Sequence, residues 1–196
     1  MALEIPIKQV VPPIYESIFP YPSFNPMQSK LAQQAFHSNE NMVIAAPTGS
    51  GKTAVHELAI CRLHLSKNGA PMKCVYIAPN KALCQQRWNE WSKRFSACGL
   101  KALEVTGDID LKDCLRLVAK ASIIITTPEK WDSLTRVWRD HVYLLTATDL
   151  LLLDEIYHLG EDRGPALEMV IVRMRVLAQE RMKYLQSKAG HSADIG

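Results

Sequence analysis

Residues 46–53 read Ala46-Pro-Thr-Gly-Ser-Gly-Lys-Thr53 and stand between a short apolar run and a stretch with helical character. The apolar run, residues 42–45, predicts a strand, and residues 54–65 predict a helix. A glycine-rich loop between a strand and a helix is the context of a phosphate-binding loop. Ala46 departs from the first position of the general G-x-x-x-x-G-K-[ST] pattern, whereas the rest of the stretch matches it. We therefore expect this stretch to bind phosphate groups.

Each residue type in the loop suits one part of nucleoside triphosphate binding. Gly49 and Gly51 let the backbone curl so that successive N–H groups face phosphate oxygens, and the N-terminus of the next helix adds partial positive charge. Lys52 is predicted to reach the β- and γ-phosphates, and the Thr53 hydroxyl to bind Mg²⁺. The other predicted nucleotide-binding residues are Pro47, Thr48 and Ser50. The alternative is an incidental glycine turn before a lysine.

The composition predicts a soluble globular protein of the reducing intracellular compartment. The 196 residues, 47% of them hydrophobic, are enough for the core of one domain. No apolar run approaches the length of about 20 residues that crosses a bilayer, and no signal-like leader is visible, so no membrane association is expected. The net charge of +3 permits nucleic-acid binding without arguing for it. The five cysteines include no C-x-x-C pair, which disfavours a disulfide framework or a zinc site.

The pattern along the chain predicts three parts: a proline-rich extended arm at residues 1–26, an α/β domain at residues 27–186 and a disordered polar tail at residues 187–196. In the middle part, apolar strands alternate with helices, which predicts a mainly parallel sheet with helices on both faces. The predicted strands are residues 42–45, 74–78, 102–105, 122–126 and 150–153. The predicted helices are residues 28–37, 52–66, 81–96, 111–119 and 165–184, with a helical region at residues 129–145.

An apolar strand that ends in two acids, Leu150-Leu-Leu-Leu-Asp154-Glu155, supplies a candidate metal-positioning carboxylate. Ligands bind at the carboxyl ends of strands in open α/β sheets. Asp154 is predicted to bind Mg²⁺, and Glu155 to orient or deprotonate the attacking water, a division of labour that indicates hydrolysis. In isolation the pair equally suits a strand end followed by a helix-capping acid. Together with Lys52 in the phosphate loop, it predicts a hydrolytic site.

Further segments, in order along the chain, make it resemble the superfamily 2 DExH-box helicases. Asn25-Pro-Met-Gln28 is similar to the family's adenine-reading motif, which assigns Gln28 to the base of ATP. Asp154-Glu155-Ile156-Tyr157, followed by Glu161-Asp-Arg-Gly164, is similar to the motif that names the group. The resemblance implies a RecA-like P-loop NTPase domain that uses ATP and Mg²⁺.

Three segments between these motifs resemble the family's nucleic-acid motifs: Ala78-Pro-Asn-Lys-Ala-Leu83, Thr106-Gly-Asp108 and Thr126-Thr-Pro-Glu-Lys-Trp-Asp132. Contacts of this kind hold a strand by its backbone without reading its sequence. Taken alone, Lys81 also suits a solvated helix start and Thr127 an N-cap hydroxyl. The resemblance implies nucleic-acid contacts from Pro79, Lys81, Thr106, Gly107, Thr127 and Pro128.

Within the family, the chain is most similar to the meiotic crossover helicases, and the spliceosomal and antiviral-type relatives are the alternatives. This similarity rests on the segments Phe19-Pro-Tyr-Pro-Ser-Phe-Asn25, Thr127-Pro-Glu-Lys-Trp-Asp-Ser-Leu-Thr-Arg136 and Trp138-Arg139-Asp140. It implies a nuclear location and single-stranded or branched nucleic acid as partner, with DNA favoured over RNA. The residues themselves leave DNA and RNA open, because contacts to phosphates are common to both.

The chain departs from the family pattern in two respects. Tyr157 stands where the family has His. Either Tyr157 replaces that residue or, less favoured because neighbouring side chains point in different directions, His158 takes over its role. We expect weakened coupling between the nucleotide and nucleic-acid sites. The family's second RecA-like domain, which supplies arginines to the reaction, is not in these residues. Because an arginine finger contributes about 10³–10⁵ in rate, we expect the chain alone to bind ATP, hydrolyse it slowly and unwind nothing. The alternatives are a non-catalytic ATP- or nucleic-acid-binding module, an RNA helicase domain and, less favoured, a small-molecule kinase.

Overall fold

The computed structural model describes residues 4–107, 109–141, 147–156 and 164–193, with side chains up to residue 183. The chain divides into two units. The first consists of Met1–Met72 and Trp91–Leu100, and the second of Lys73–Glu90 and Lys101–Gly196.

The N-terminal segment of the first unit is folded into short helical turns. A 3₁₀ turn, Ile7–Gln9, precedes helix α1 (Pro13–Glu16), which proline can begin because the first turn needs no N–H donor there. Among its described residues, the segment buries seven apolar side chains: Ile7, Val10, Val11, Tyr15, Ile18, Phe19 and Phe24. It therefore differs from the extended arm predicted for residues 1–26. The prolines interrupt regular structure, but the apolar residues between them stabilise a packed conformation.

The other two α-helices of the first unit are α2 (Pro26–His37) and α3 (Thr53–Ser66), which pack against each other. The strand predicted at residues 42–45 is wrong, because these residues pair with no strand in the described part of the chain. Val43 in this segment is 83% exposed. An apolar run shows only a tendency to form a strand, which needs a hydrogen-bonded partner to exist.

A buried carboxylate stabilises the first unit. Glu57 of α3 is 2% exposed and accepts hydrogen bonds from Trp91 Nε1 at 2.9 Å and Arg94 Nη1 at 3.0 Å. A buried charge is tolerated when it is paired and hydrogen-bonded in this way.

The second unit contains a four-stranded parallel sheet. Its strands are β1 (Cys74–Ile77), β2 (Ala102–Val105), β3 (Ile123–Thr126) and β4 (Leu150–Leu153), in the order β2-β3-β1-β4. In register, Val75 lies opposite Ile124 on one side and Leu151 on the other. β1 and β3 are buried along their whole length, which explains why their sequences are continuously apolar. The predicted parallel α/β fold is confirmed.

Helices lie on both faces of this sheet. The helices are α4 (Lys81–Arg94), α5 (Leu111–Lys120), α6 (Pro128–Arg136) and α7 (Gly164–Ala193). Val75 and Ile77 belong to a core cluster with residues of α5, α6 and α7, including Trp131, which is fully buried. Side chains alternate along a strand, so Tyr76 points to the opposite face, where Arg87 of α4 lies over its ring.

Helix α7 continues to Ala193, beyond the end predicted at residue 184. The tail predicted as disordered at residues 187–196 is therefore helical as far as residue 193. The segment contains no proline, and Lys188, Ala189 and Ala193 are good helix formers, so a helix that is already nucleated can extend through it. None of the helices in the described ranges has the length and apolar character that a membrane span requires.

Candidate functional site

The phosphate loop has the backbone conformation that its glycines predict. Gly49 has φ +79° and Gly51 φ +87°, both in the left-handed region that glycine adopts without strain. The Ser50 N–H bonds the Pro47 carbonyl at 3.2 Å, and the Ala54 N–H bonds that of Gly51 at 3.1 Å. The loop therefore turns tightly into the start of α3. Pro47, Thr48 and Gly49 are exposed at its tip.

Lys52 is folded back onto the loop. Its Nζ donates to the carbonyls of Ala46 at 2.8 Å and Pro47 at 3.1 Å. Lys52 also occupies the N-cap position of α3, and no side chain caps this helix start. Ser50 Oγ is buried and has no hydrogen-bond partner among the described residues. A helix N-terminus that no side chain caps suits the binding of an anion.

Gln28 is attached to the phosphate loop. Its Oε1 accepts from the Asn25 N–H at 2.9 Å, and its Nε2 donates to the Gly51 carbonyl at 3.0 Å. Asn25 closes a capping box with Gln28 and, through Nδ2, donates to the Ser50 carbonyl at 2.9 Å. The residue predicted to read adenine therefore holds the loop. No role was predicted for Asn25, although an Asn three residues before a Gln is a recognisable capping signal.

A tyrosine hydroxyl also contacts Gln28. Tyr21 hydrogen-bonds the Gln28 side chain, and the Glu57 carboxylate lies nearby. Burial, and next the charge of Glu57, raises the pKa of Tyr21 to about 12. The hydroxyl therefore stays protonated at neutral pH.

In the second unit, Asp154 stands at the end of β4 with both carboxylate oxygens engaged. Tyr76 Oη donates to Oδ2 at 2.5 Å, and the Glu155 N–H donates to Oδ1 at 3.1 Å. Burial, and next the charge of Asp154, raises the pKa of Tyr76 well above its ordinary value, so the hydroxyl remains a donor. The role of Tyr76 was not predicted, because nothing in the sequence of a buried strand indicates a contact with a residue 78 positions away.

Glu155 has a strained backbone. Its φ is +55°, in the left-handed region that non-glycine residues rarely adopt. Strain of this kind persists only where the surrounding structure imposes it, and it concentrates at functional sites.

The ends of three neighbouring strands meet around a small cavity. Its lining residues are Ile77, Ala78, Pro79, Pro128, Asp154, Glu155 and Leu167. Two residues predicted to contact nucleic acid, Pro79 and Pro128, therefore lie beside the predicted acid pair. This is the arrangement expected at the carboxyl edge of a parallel sheet.

Lys81 and Gly107 also come together in the second unit. Lys81 Nζ lies 3.8 Å from the position that a Cβ atom would occupy on Gly107, which has φ +74°. Asn80 caps α4 by accepting from the Leu83 N–H at 2.9 Å. Lys81, in the first turn of the helix, is exposed.

Two predicted hydroxyls are engaged within the protein. Thr127 caps α6 by accepting from the Lys130 N–H at 3.4 Å, and it is 7% exposed. Thr106 Oγ1 donates to Glu104 Oε1 at 2.7 Å. In this conformation Thr127 has the N-cap role that is the alternative prediction for it. Asp108, Tyr157 and His158 lie outside the described residues, as do residues 161–163.

A glycine loop that leads into a helix and an acid pair at the strand ends of a parallel sheet are features of the P-loop NTPases. Residues 25–192 match the DEAD/DEAH box helicase family, and the chain belongs to that family. The predicted family resemblance is confirmed.

The curated relatives include both DNA and RNA helicases. The chain is 46% identical over 172 residues to "Probable ATP-dependent DNA helicase HFM1" of Homo sapiens, covering 85% of this chain and 12% of that protein. It is 36% identical over 199 residues to "DExH-box ATP-dependent RNA helicase DExH13" of Arabidopsis thaliana, covering 98% of this chain and 9% of that protein. The chain thus spans about an eighth or less of the length of these relatives.

The fold is also that of a solved helicase structure. The crystal structure of DUF1998 helicase MrfA bound to DNA and AMPPNP matches with a TM-score of 0.71 at 19% identity, covering 90% of this chain and 26% of that one. At this identity the likeness establishes the fold alone. It agrees with a RecA-like α/β domain.

Proposed function

We propose that this chain is the ATP-binding motor domain of an ATP-dependent helicase that acts on DNA in meiotic recombination. It moves on or unwinds a strand when joined to a second RecA-like domain. The observation that carries the proposal is the phosphate loop at residues 46–53, whose helix start lacks a side-chain cap. Membership of the DEAD/DEAH box helicase family supports it.

The proposed ATP-binding residues are those of the loop together with Gln28. Lys52 leaves the Ala46 and Pro47 carbonyls, which it now contacts, and binds the β- and γ-phosphates. Ser50 Oγ, which lacks a partner among the described residues, is a further donor toward phosphate. Gln28 binds adenine through its side-chain amide. The amide has two donor and two acceptor sites, of which Gly51, Asn25 and Tyr21 occupy three.

The residue types proposed for the metal fit Mg²⁺. Thr53 supplies a hydroxyl and Asp154 a carboxylate, the hard oxygen donors that Mg²⁺ prefers. The described residues contain no group of three or more His, Cys, Asp or Glu side chains that could hold a metal by themselves. This suits an ion that keeps several waters and binds substrate phosphates. When bound, Mg²⁺ neutralises charge that develops on the phosphate oxygens. Glu155 orients or deprotonates the attacking water.

The proposed nucleic-acid contacts come from Pro79, Lys81, Thr106, Gly107, Thr127 and Pro128. Exposed Lys81 beside Gly107 supports a contact to phosphate. The identity of 46% to a DNA helicase supports DNA, and a nuclear location follows from that role. RNA is the second candidate, since similarity to an RNA helicase extends over 98% of the chain.

The 196 residues alone are proposed to bind ATP and hydrolyse it slowly, because the arginines of a second domain contribute about 10³–10⁵ in rate. A non-catalytic binding module remains the alternative for the chain in isolation.

The test is the ATPase rate of the chain and of the longest protein that contains it, with and without single-stranded DNA and with RNA of the same sequence. Glu155→Gln is the matched control, because it keeps the shape of the side chain and removes its basic oxygen. We expect stimulation by DNA in the longer protein, no stimulation in the control, and no strand separation by the chain alone.

Stimulation by RNA only would assign the chain to the second candidate. Stimulation by neither polymer, or strand separation by the chain alone, would contradict the proposal.

A further inference from the structure

Tyr76 places a buried hydroxyl on the face of the sheet that α4 covers. The residue is 1% exposed in the middle of β1, between two residues of the core cluster on the opposite face of the sheet. A buried hydroxyl costs free energy unless it has a hydrogen-bond partner. A phenylalanine would fill this position without that requirement, so packing alone does not explain the hydroxyl.

Two side chains hydrogen-bond this hydroxyl, the carboxylate of Asp154 and the guanidinium of Arg87. Tyr76 Oη donates to Oδ2 at 2.5 Å, while the Glu155 N–H donates to Oδ1 at 3.1 Å. The Asp154 N–H continues the ladder to the Ile77 carbonyl at 3.0 Å, so the backbone beneath the side chain is also held. One bond to each oxygen fixes the rotation of the carboxylate. A carboxylate has about four lone-pair sites, so both oxygens can still accept further contacts.

Arg87 holds the tyrosine ring in turn. Its guanidinium carbon lies 5.9 Å from the centroid of the Tyr76 ring, and its Nη1 pairs with Glu90 Oε2 at 2.8 Å. Arg87 and Glu90 both lie on α4, which begins at Lys81. The hydroxyl therefore has a defined position on a strand and against a helix.

We propose that Tyr76 is a positioning residue for the Asp154 carboxylate, which it orients for binding the Mg²⁺ of Mg·nucleotide. The inference rests on the proposed function, in which Asp154 is the metal-binding carboxylate. Outer partners that orient metal ligands in this way typically contribute about 10–100-fold to metal affinity. Tyr76 touches neither the metal nor the nucleotide in this role.

The experiment compares the affinity of the chain for ADP in excess Mg²⁺ and in a chelator, by calorimetry. The ratio of the two affinities isolates the contribution of the metal, independent of turnover. We expect Tyr76→Phe to lower this ratio about tenfold and to leave the affinity in chelator unchanged. Tyr15→Phe is the matched control: it removes another buried tyrosine hydroxyl, bonded to His64 Nδ1 at 3.0 Å, and should leave the ratio unchanged.

The variant Asp154→Asn distinguishes a failure of the role proposed for Asp154 from a failure of the role proposed for Tyr76. If Asp154→Asn leaves the ratio unchanged, the proposed role of Asp154 fails. If Asp154→Asn lowers the ratio and Tyr76→Phe does not, only the role of Tyr76 fails.

The double variant gives the sharpest result. Tyr76→Phe should have no further effect on the ratio in the Asp154→Asn background, because the two side chains act as one unit. An equal loss in both backgrounds would overturn the proposal, since Tyr76 would then act without Asp154. Thermal unfolding of each variant shows whether a loss of affinity reflects a loss of fold.

Discussion

The side-chain amide of Gln28 donates a 3.0 Å hydrogen bond to the carbonyl of Gly51, and a Cβ atom on Gly51 would lie 2.3 Å from the same amide nitrogen. The glycine is therefore required twice, once for its positive φ and once for the approach of Gln28. Gly49 has a similar φ of +79° but nothing within 4 Å of its Cβ position. Substitutions at these two glycines therefore distinguish the effect of backbone strain from the effect of losing the contact with Gln28.

Gly51→Ala should impair the protein more than Gly49→Ala. Both substitutions place alanine in the left-handed region, at a cost of about 1–2 kcal/mol. Only Gly51→Ala also displaces Gln28, whose hydrogen bond contributes about 1 kcal/mol, or about 2–4 °C in unfolding temperature for a chain of this size. Thermal unfolding and ATP titration of the two variants measure the difference. Equal losses would show that the contact with Gln28 contributes nothing.

Glu155→Gly should be more stable than Glu155→Ala by about 0.5–1 kcal/mol. Both variants lose the same side chain, but only glycine relieves the strain of φ +55°. The relief of about 1–2 kcal/mol exceeds the entropy of about 0.4–1 kcal/mol that glycine adds to the unfolded chain. Denaturant unfolding measures the order. An alanine variant as stable as the glycine variant would argue that the backbone at Glu155 is not strained.

The buried Asp132 carboxylate should make the stability of the protein depend more on Arg173 than on Arg136. Asp132 is 4% exposed and pairs with Arg173 and Arg136, both at 2.5 Å, whose side chains are 15% and 69% exposed. We expect Arg173→Met to cost about 3–5 kcal/mol and Arg136→Met about 0.5 kcal/mol, because only the first leaves a buried charge without its buried partner. Denaturant unfolding of both variants at neutral pH tests this order, which equal costs would contradict.

Acidification should remove the contribution of the Asp132 carboxylate to the stability of the protein. Burial alone would raise the pKa of Asp132, but the hydrogen bonds and charges of Arg173 and Arg136 outweigh it and lower the pKa below its ordinary value. Stability from this group is therefore complete above the unfolded pKa of about 4 and is lost as the pH falls through the folded value. The difference between the protein and Asp132→Asn should shrink below about pH 4. A constant difference down to lower pH would contradict it.

Much of the sheet could be predicted from the sequence because its strands are short runs rich in apolar residues, and two of them, β1 and β3, are buried along their whole length. β2 and β4 begin and end at the predicted residues, and β1 and β3 differ by one residue at one end. The strand at residues 42–45 was predicted on the same grounds and is absent. Apolar composition does not reveal whether a hydrogen-bonded partner exists, and none is present in the described ranges.

The candidate site, too, could be predicted from the sequence only in part. The loop and the acid pair were predictable because phosphate and metal chemistry restrict residue types at short spacing. Tyr76 was not, because its contact with Asp154 depends on β1 and β4 being neighbours. Asn25 was predictable as a cap but not as a support of the loop, which depends on how the chain returns to it.

The most direct test of the account is calorimetric titration of Mg·ATP into the protein and into Lys52→Ala. A charge-assisted hydrogen bond contributes about 1.5–3 kcal/mol, which corresponds to about 10–100-fold in affinity. We predict that the protein binds Mg·ATP and that Lys52→Ala binds it at least tenfold more weakly, with an unchanged fold by circular dichroism. Equal affinity in the two proteins, or no binding by either, would contradict the claim that residues 46–53 form an ATP-binding loop.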